Sequence, residues 1–153
     1  PKEVHIMTKK RKEDNKTKIF KIVVYIAAIY HLILGAAAIV LPAKSISTVS
    51  GLILGYAPSA TTEFALMAKF TGVYVLVFGA LLYLLAKDPV KYVHFAYVAV
   101  GLFTIRFINR LVVFNSMTVD YGVPFQRNVF GLIALGVFAG VIYYYMPKNK
   151  WRN

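Results

Sequence analysis

Two arginines and an asparagine, spaced by one helical turn, are the residues of this sequence best suited to bind a ligand. Arg106, Asn109 and Arg110 lie in an otherwise apolar stretch, where separations of three and four residues put them on one part of a helical surface. Lys69 lies in a second apolar stretch. Their charged or amide N–H groups donate hydrogen bonds, so we expect these four residues to contact a lipid headgroup, an acidic group of a partner or an anion.

No catalytic, metal or cofactor site is predicted beside them. The chain has no cysteine, which excludes thiolate ligands and cysteine nucleophiles, and it contains no paired carboxylates or phosphate-binding glycine loop. His5, His31 and His94 are too dispersed for a local metal motif, and His31 is expected to be a hydrogen-bonded core residue. The sequence therefore favours a protein without catalytic activity of its own. An enzyme that uses His31 and His94 as cofactor ligands is the alternative.

Long apolar runs must position these residues. Each run is about as long as the roughly 20 residues that a helix needs to cross a hydrocarbon core ~30 Å thick. Hydrophobic residues make up 59% of the chain, against about 45–50% in ordinary soluble domains. The sequence predicts an all-α membrane protein, with a four-helix transmembrane domain over residues 19–146. The predicted spans are about 19–41, 64–86, 92–114 and 129–146.

The positive charge is concentrated on one side of these spans. The net charge is +12, and most Lys and Arg residues lie in the basic tails 1–18 and 147–153 or in the turn between the second and third spans. The positive-inside rule then predicts an up-down-up-down bundle in the cell membrane with both termini in the cytoplasm. Nucleic-acid binding is not expected, because no aromatic residue interrupts the basic run 9–12.

The cations inside the spans lack obvious counter-ions. Counted from the outer helix ends at 1.5 Å per residue, Arg106 and Lys69 lie ~12 Å deep and Arg110 ~6 Å deep. No carboxylate lies within the spans, and only Glu63 and Asp120 lie near their outer ends. Because intramembrane charge is costly, we expect an external anion: a phospholipid phosphate, a partner's carboxylate, or an anionic or quinone-like ligand. Snorkelling of Arg110 and Lys69 to the headgroups, or pairing of Arg110 with Glu63, is the alternative.

Small residues and loop residues complete the predicted architecture. Glycines at helical spacing allow close helix packing in lipid, either within the bundle or, for Gly136 and Gly140, against another subunit. The glycines predicted to pack helices are Gly72, Gly79, Gly101, Gly136 and Gly140. The apolar segment 49–56 predicts an interfacial helix, and Thr61 or Thr62 is the expected cap of the second span.

The order of landmarks resembles the DoxX-like group of small four-helix membrane proteins. The similarity covers roughly residues 25–146. It rests on Leu34-Gly35 through Pro42, Gly51, the stretch from Ala68 to Gly72, Phe78-Gly79 and Arg106. The resemblance implies the same fold and, because some members are implicated as small subunits of quinone-linked membrane oxidoreductases, a role in such an assembly.

Two functions follow as expectations. The first is a non-catalytic accessory subunit of a larger membrane complex, such as an oxidoreductase or monooxygenase of energy metabolism, with other integral membrane subunits and phospholipids as partners. It is favoured because both faces of the third span require protein contacts: Arg106 lies on one face and the small or polar residues Gly101 and Thr104 on the other. The second is a ligand-binding protein or small transporter for an anionic or quinone-like molecule.

Overall fold

Every regular element in the described part of the chain is a helix. The computed structural model describes the backbone of residues 2–147 and the side chains of residues 15–147 other than Leu54. The helices are α1 (Lys2–Val40), α2 (Ala43–Leu54), α3 (Thr62–Lys87), α4 (Val93–Val112), α5 (Phe114–Val119) and α6 (Phe125–Tyr145). Four segments are long and apolar enough to cross a membrane: Asn15–Val40, Thr62–Lys87, Val93–Val112 and Phe125–Tyr145. The prediction of an all-α chain with four candidate membrane spans is confirmed.

Helix α1 is longer than its predicted span. It has 39 residues, which corresponds to about 58 Å at 1.5 Å per residue and exceeds the thickness of a hydrocarbon core. The span was predicted to begin at residue 19, but the helix continues back to Lys2 because no proline or glycine interrupts residues 2–18. At the other end α1 stops before Pro42, whose ring disfavours helical backbone in the preceding residue.

Helix α2 is the short apolar element expected between the first two spans. It begins at Ala43, earlier than the apolar segment 49–56 alone indicated. It ends at Gly55, which adopts the left-handed region with φ 82° and donates its backbone N–H to the carbonyl of Gly51 at 3.1 Å. Thr61 then caps α3, because its Oγ1 accepts a hydrogen bond from the backbone N–H of Phe64 at 3.2 Å. This confirms one of the two predicted caps.

The second half of the chain departs from the predicted boundaries at one connection. Residues 115–127 were expected to form a loop, but α5 occupies its first part and α6 begins at Phe125, four residues before the predicted start at residue 129. The first turn of α6 contains the polar residues Gln126, Arg127 and Asn128, and for this reason the sequence did not predict it as part of an apolar span. The side chains of Arg127 and Asn128 have hydrogen-bond partners on α2 and α4.

The four long helices form two close pairs. Helix α1 packs most extensively on α3, and α4 on α6, while smaller contacts join α1 to α6 and α3 to α4. The α1–α3 contact depends on glycine. A Cβ on Gly35 would lie 2.5 Å from the backbone nitrogen of Leu76, and one on Gly79 would lie 2.8 Å from that of Leu32. The two backbones therefore approach more closely than any larger residue at these positions would permit.

The predicted packing glycines divide into two groups. Gly72 and Gly79 are buried at the α1–α3 contact, and a Cβ on Gly136 would lie 3.5 Å from the ring of Phe107 on α4. Gly101 and Gly140 are exposed, and no atom lies within 4 Å of the position a Cβ would take. The bundle's own packing does not use these two glycines.

The buried core lies at one end of the bundle. It joins side chains from all four long helices: Phe20, Val24, Ala27, Ala28, Leu82, Leu85, Ala86, Ala96, Ala99, Phe103 and Ile142. The other end, near α2, is less closely filled. Many large apolar side chains on the outer surfaces of the helices are exposed, as a lipid environment requires. The four apolar helices indicate a multi-pass membrane protein.

The α1–α3 contact gives a direct test of this packing. Gly35→Ala and Gly79→Ala should each lower the free energy of unfolding by about 1–3 kcal/mol, because the added methyl group meets backbone atoms that cannot move aside. The control, Gly101→Ala, should leave stability unchanged or raise it by up to about 1 kcal/mol through helix propensity. Unfolding in mixed micelles, followed by circular dichroism, measures all three. Equal effects at Gly79 and Gly101 would contradict the close α1–α3 contact.

Candidate functional site

A hydrogen bond across the bundle joins Arg106 on α4 to His31 on α1, with His31 buried and Arg106 exposed. Arg106 Nη1 lies 3.2 Å from His31 Nε2, and His31 Nδ1 lies 2.7 Å from the carbonyl oxygen of Ala27. A guanidinium only donates hydrogen bonds, so His31 Nε2 must accept from Arg106. Nδ1 then carries the proton and donates it to the Ala27 carbonyl. Both ring nitrogens are used, and His31 is the neutral partner of a cation.

Aromatic rings fix the orientation of the imidazole. His31 is buried, at 4% exposure, as the sequence predicted for a hydrogen-bonded core residue. The rings of Phe78 and Phe103 lie edge-on to it, with centroids 5.0 Å and 5.9 Å away. Gly79 allows α3 to reach α1 at this level, because a Cβ there would lie 3.1 Å from the carbonyl carbon of His31. Ring packing and the close helix contact together direct Nε2 towards Arg106.

A cavity of about 380 Å³ opens from this pair towards α2. Its walls come from α1, α2 and α3, and Arg106 is its contribution from α4. The lining residues are Tyr30, His31, Leu34, Ala37, Ala38, Leu41, Ile46, Val49, Ser50, Ile53, Phe64, Met67, Ala68, Thr71, Gly72, Val75 and Arg106. Most of these side chains are apolar, and Arg106 is the one charged residue among them. The arrangement is that of a small-molecule site, with apolar walls and few polar groups.

Helix α2 forms one wall of the cavity and is held in place by hydrogen bonds. Arg127 Nη1, from the first turn of α6, donates to the Gly51 carbonyl at 2.9 Å. The aliphatic part of Arg127 passes close to Gly55, where a Cβ would lie 2.8 Å from its Cδ. Ser47 Oγ donates to the Pro58 carbonyl and ties α2 to the segment that follows it. These contacts anchor the wall to α6 and to the start of α3.

Arg110 has a different partner from Arg106. Its Nε donates to Asn128 Oδ1 at 2.9 Å. Asn128 is fully buried and donates from Nδ2 to the Phe114 carbonyl at 3.1 Å and to Thr118 Oγ1 at 3.2 Å. Gly131 leaves room for the guanidinium, since a Cβ there would lie 2.6 Å from Arg110 Cζ. The side chain is therefore held inside the α4–α5–α6 junction by a neutral amide, and the alternative pairing with Glu63 does not occur.

Lys69 and Asn109, the other residues expected to contact an anion, lie outside the cavity. Both side chains are exposed, and neither makes a hydrogen bond to the described part of the chain. Ala68, Thr71, Gly72 and Val75 form the cavity face of α3, and Lys69 is rotated by about 100° from Ala68. The structure thus brings Arg106 together with His31 and Arg110 together with Asn128, and leaves Lys69 and Asn109 apart.

Among the described residues no group of three or more His, Cys, Asp or Glu side chains is placed to hold a metal ion. His94 is exposed near the start of α4, and His31 lies nine residues before the end of α1 with both ring nitrogens engaged. The arrangement offers no nucleophile activated by a neighbouring base. Arg106 is the one cation in the mostly apolar lining of the cavity.

Comparison of the chain with protein-family models, with curated proteins and with solved structures gave no match. The resemblance to the DoxX-like group stays a prediction.

Sequence reasoning did not identify the partner of either arginine. Asn128 lies just before the predicted start of the fourth span at residue 129, although its position four residues after Pro124 is consistent with the first turn of a helix. Polar side chains in membrane spans commonly pair with one another, and this was the one indication of the Arg106–His31 contact in the sequence. This tendency does not identify which polar residue is the partner, and His31 lies 75 residues from Arg106 along the chain.

The Asn128 network gives a second test. Asn128→Leu should lower the free energy of unfolding by about 3 kcal/mol, because it removes an acceptor from a charged donor and leaves buried polar groups without partners. Asn109→Leu is the matched control and should change stability by less than about 0.5 kcal/mol, since Asn109 is exposed. Chemical unfolding in micelles compares the two. Similar losses in both variants would show that Asn128 does not hold Arg110.

Proposed function

We propose that this chain is a membrane-embedded binding protein for a small amphiphilic molecule. The polar end of the ligand lies at Arg106, and its apolar part occupies the cavity between α1, α2 and α3. The single observation that carries the proposal is a cavity with apolar walls that has one charged lining residue, Arg106. Both ligand classes expected from the sequence, anionic and quinone-like, have an oxygen that accepts hydrogen bonds from a guanidinium.

The size and composition of the cavity support this function. A volume of about 380 Å³ lies near the lower end of the roughly 300–1,000 Å³ typical of small-molecule sites. Such sites combine apolar surface with a few polar groups that fix the ligand's orientation. Here those groups are Arg106, with Tyr30, Ser50 and Thr71 around the walls. A charged residue within a membrane span is costly without such a role.

We further propose that both termini are cytoplasmic, which places the cavity in the outer half of the cell membrane. The basic residues of the N-terminal tail and of the turn at Lys87 and Lys91 favour cytoplasmic termini for an up-down-up-down bundle. Helix α2 then lies at the outer surface. A ligand would enter from the outer leaflet or from the external water, next to α2.

An accessory role in a larger membrane complex is the second candidate, and one observation favours it. Gly101 on α4 and Gly140 on α6 are exposed positions where a neighbouring helix could approach closely. The proposed complex is an oxidoreductase or monooxygenase of energy metabolism, in line with the DoxX-like resemblance. Gentle solubilisation of native membranes, native-gel separation and mass spectrometry would test it. Co-migration with the same large partners supports this role, and migration at the size of the bundle argues against it.

The binding function predicts that filling the cavity abolishes binding. Ala68→Phe should weaken the binding of a fluorescent fatty acid and of a short-chain quinone by at least about tenfold, which corresponds to a loss of about 1.4 kcal/mol. The matched control, Ala80→Phe, places the same ring at an exposed position of α3 away from the cavity and should bind as the unmodified chain does. Fluorescence titration in nanodiscs measures both. Equal affinities for the two variants would contradict a ligand in this cavity.

A further inference from the structure

The charge of Arg106 has no counter-ion among the described side chains. The described carboxylates are Glu63, Asp88 and Asp120, and all three are exposed. The side chain of Asp88 accepts from the backbone N–H of Lys91 at 3.1 Å, in the turn at the far end of the bundle. The one hydrogen bond of Arg106 within the described chain is to the neutral imidazole of His31. The lining of the cavity therefore carries a positive charge that no described carboxylate neutralises.

His31 does not offer this cavity a second donor. Its Nδ1 proton is directed to the Ala27 carbonyl, and its Nε2 lone pair accepts from Arg106. A quinone carbonyl placed here would receive a hydrogen bond from Arg106 and none from His31. It would also leave the positive charge of the guanidinium without compensation in a medium of low dielectric constant. A neutral ligand thus satisfies only part of what the site requires.

An oxyanion satisfies the site better. The guanidinium is a planar fork of five N–H donors that matches a carboxylate in a bidentate arrangement, and one donor is occupied by His31. Arg110 lies one helical turn further along α4 and adds a second positive charge on the same side of the helix. Asn128 holds it as a neutral partner and does not cancel its charge. Arg110 does not line the cavity, but its charge favours an anion at Arg106.

The depth of Arg106 below the end of its helix favours a free acid over a lipid headgroup as the ligand. Arg106 lies six residues before the end of α4 at Val112, or about 9 Å from it, and His31 lies nine residues before the end of α1 at Val40, or about 14 Å. Side chains on a helix point towards its N-terminus, which directs Arg106 away from the α2 end. The phosphate of a bilayer lipid would have to leave the headgroup region to reach this depth. A small acid does not carry that constraint.

We propose that the ligand is a free hydrophobic organic acid, whose ionised carboxylate is the counter-ion of Arg106 and whose apolar body fills the cavity towards α2. This inference rests on the proposed binding function and narrows its ligand class. The apolar lining extends along α1 from Leu34 to Leu41 and along α2 from Ile46 to Ile53. A volume of about 380 Å³ has room for a single chain or ring system of moderate size.

The test compares ligands that share an apolar body. The unmodified chain is placed in phosphatidylcholine nanodiscs, and decanoate, 1-decanol and a decyl-substituted quinone compete with a fluorescent fatty acid. Affinities are corrected for partition into empty nanodiscs. Decanoate should bind about a hundredfold more tightly than decanol, the factor expected for two charge-assisted hydrogen bonds. This comparison needs no variant and does not depend on the folding of one.

Variants then assign the preference to Arg106. Arg106→Gln should bring the ratio of decanoate to decanol affinity close to one, whereas Lys69→Gln removes an intramembrane positive charge outside the cavity and should leave the ratio unchanged. A loss of preference in both variants would mean that general membrane electrostatics determines it, and would overturn the inference.

The remaining outcomes separate this inference from the function on which it rests. Tighter binding of the quinone, or equal binding of decanoate and decanol, would overturn the inference that the ligand is an acid. The proposed binding function would stand. Strong competition by phosphatidylglycerol in the nanodisc would identify a lipid headgroup as the anion and overturn the free acid. Binding of none of the probes would contradict both proposals together.

Discussion

The hydrogen bond between Arg106 and His31 is the interaction on which the rest of this structure depends. An arginine in a membrane-spanning helix needs its donors occupied, and a carboxylate would neutralise it. Here the partner is an uncharged imidazole, held by the Ala27 carbonyl on one side and by the rings of Phe78 and Phe103 around it. One donor is satisfied and the charge remains. Arg110 follows the same pattern with the amide of Asn128.

This interaction lies at the boundary between two differently packed halves of the bundle. On one side the buried residues from Phe20 to Ala28 on α1 form a core with side chains of α3, α4 and α6. On the other side α2 and its anchoring contact from Arg127 leave a space between α1 and α3. The closely packed half fixes the position of His31. In the open half, Arg106 lines the cavity.

Much of the fold was predictable from the sequence because it depends on composition along the chain. Apolar runs of sufficient length gave the four candidate spans, the apolar segment 49–56 indicated the short helix α2, and Thr61 was one of two expected caps. The predicted start of the fourth span, residue 129, was four residues later than the start of α6 at Phe125. The polar character of Asn128 reflects a tertiary partner, and local patterns carry no information about tertiary partners.

The site was predictable only in part, since it depends on how each helix is rotated. Arg106 stood out as a charge in an apolar helix, but the same reasoning selected Lys69, which α3 turns away from the cavity. The contact of Arg106 with His31 joins residues 75 positions apart. Spacing along one helix cannot supply such a pair, because it requires the relative rotation of α1 and α4. The division of the glycines into packed and open positions has the same origin.

The most direct test of the central claim is the protonation state of His31 in a lipid bilayer. Nitrogen-15 NMR of histidine-labelled protein, with a His31→Gln variant to assign the signal, distinguishes the two neutral tautomers from the imidazolium. The account predicts a neutral ring with a protonated Nδ1 and an unprotonated Nε2 that responds to Arg106→Gln. A protonated Nε2, in either a neutral or a cationic ring, would contradict it, because such a nitrogen cannot accept a hydrogen bond from Arg106.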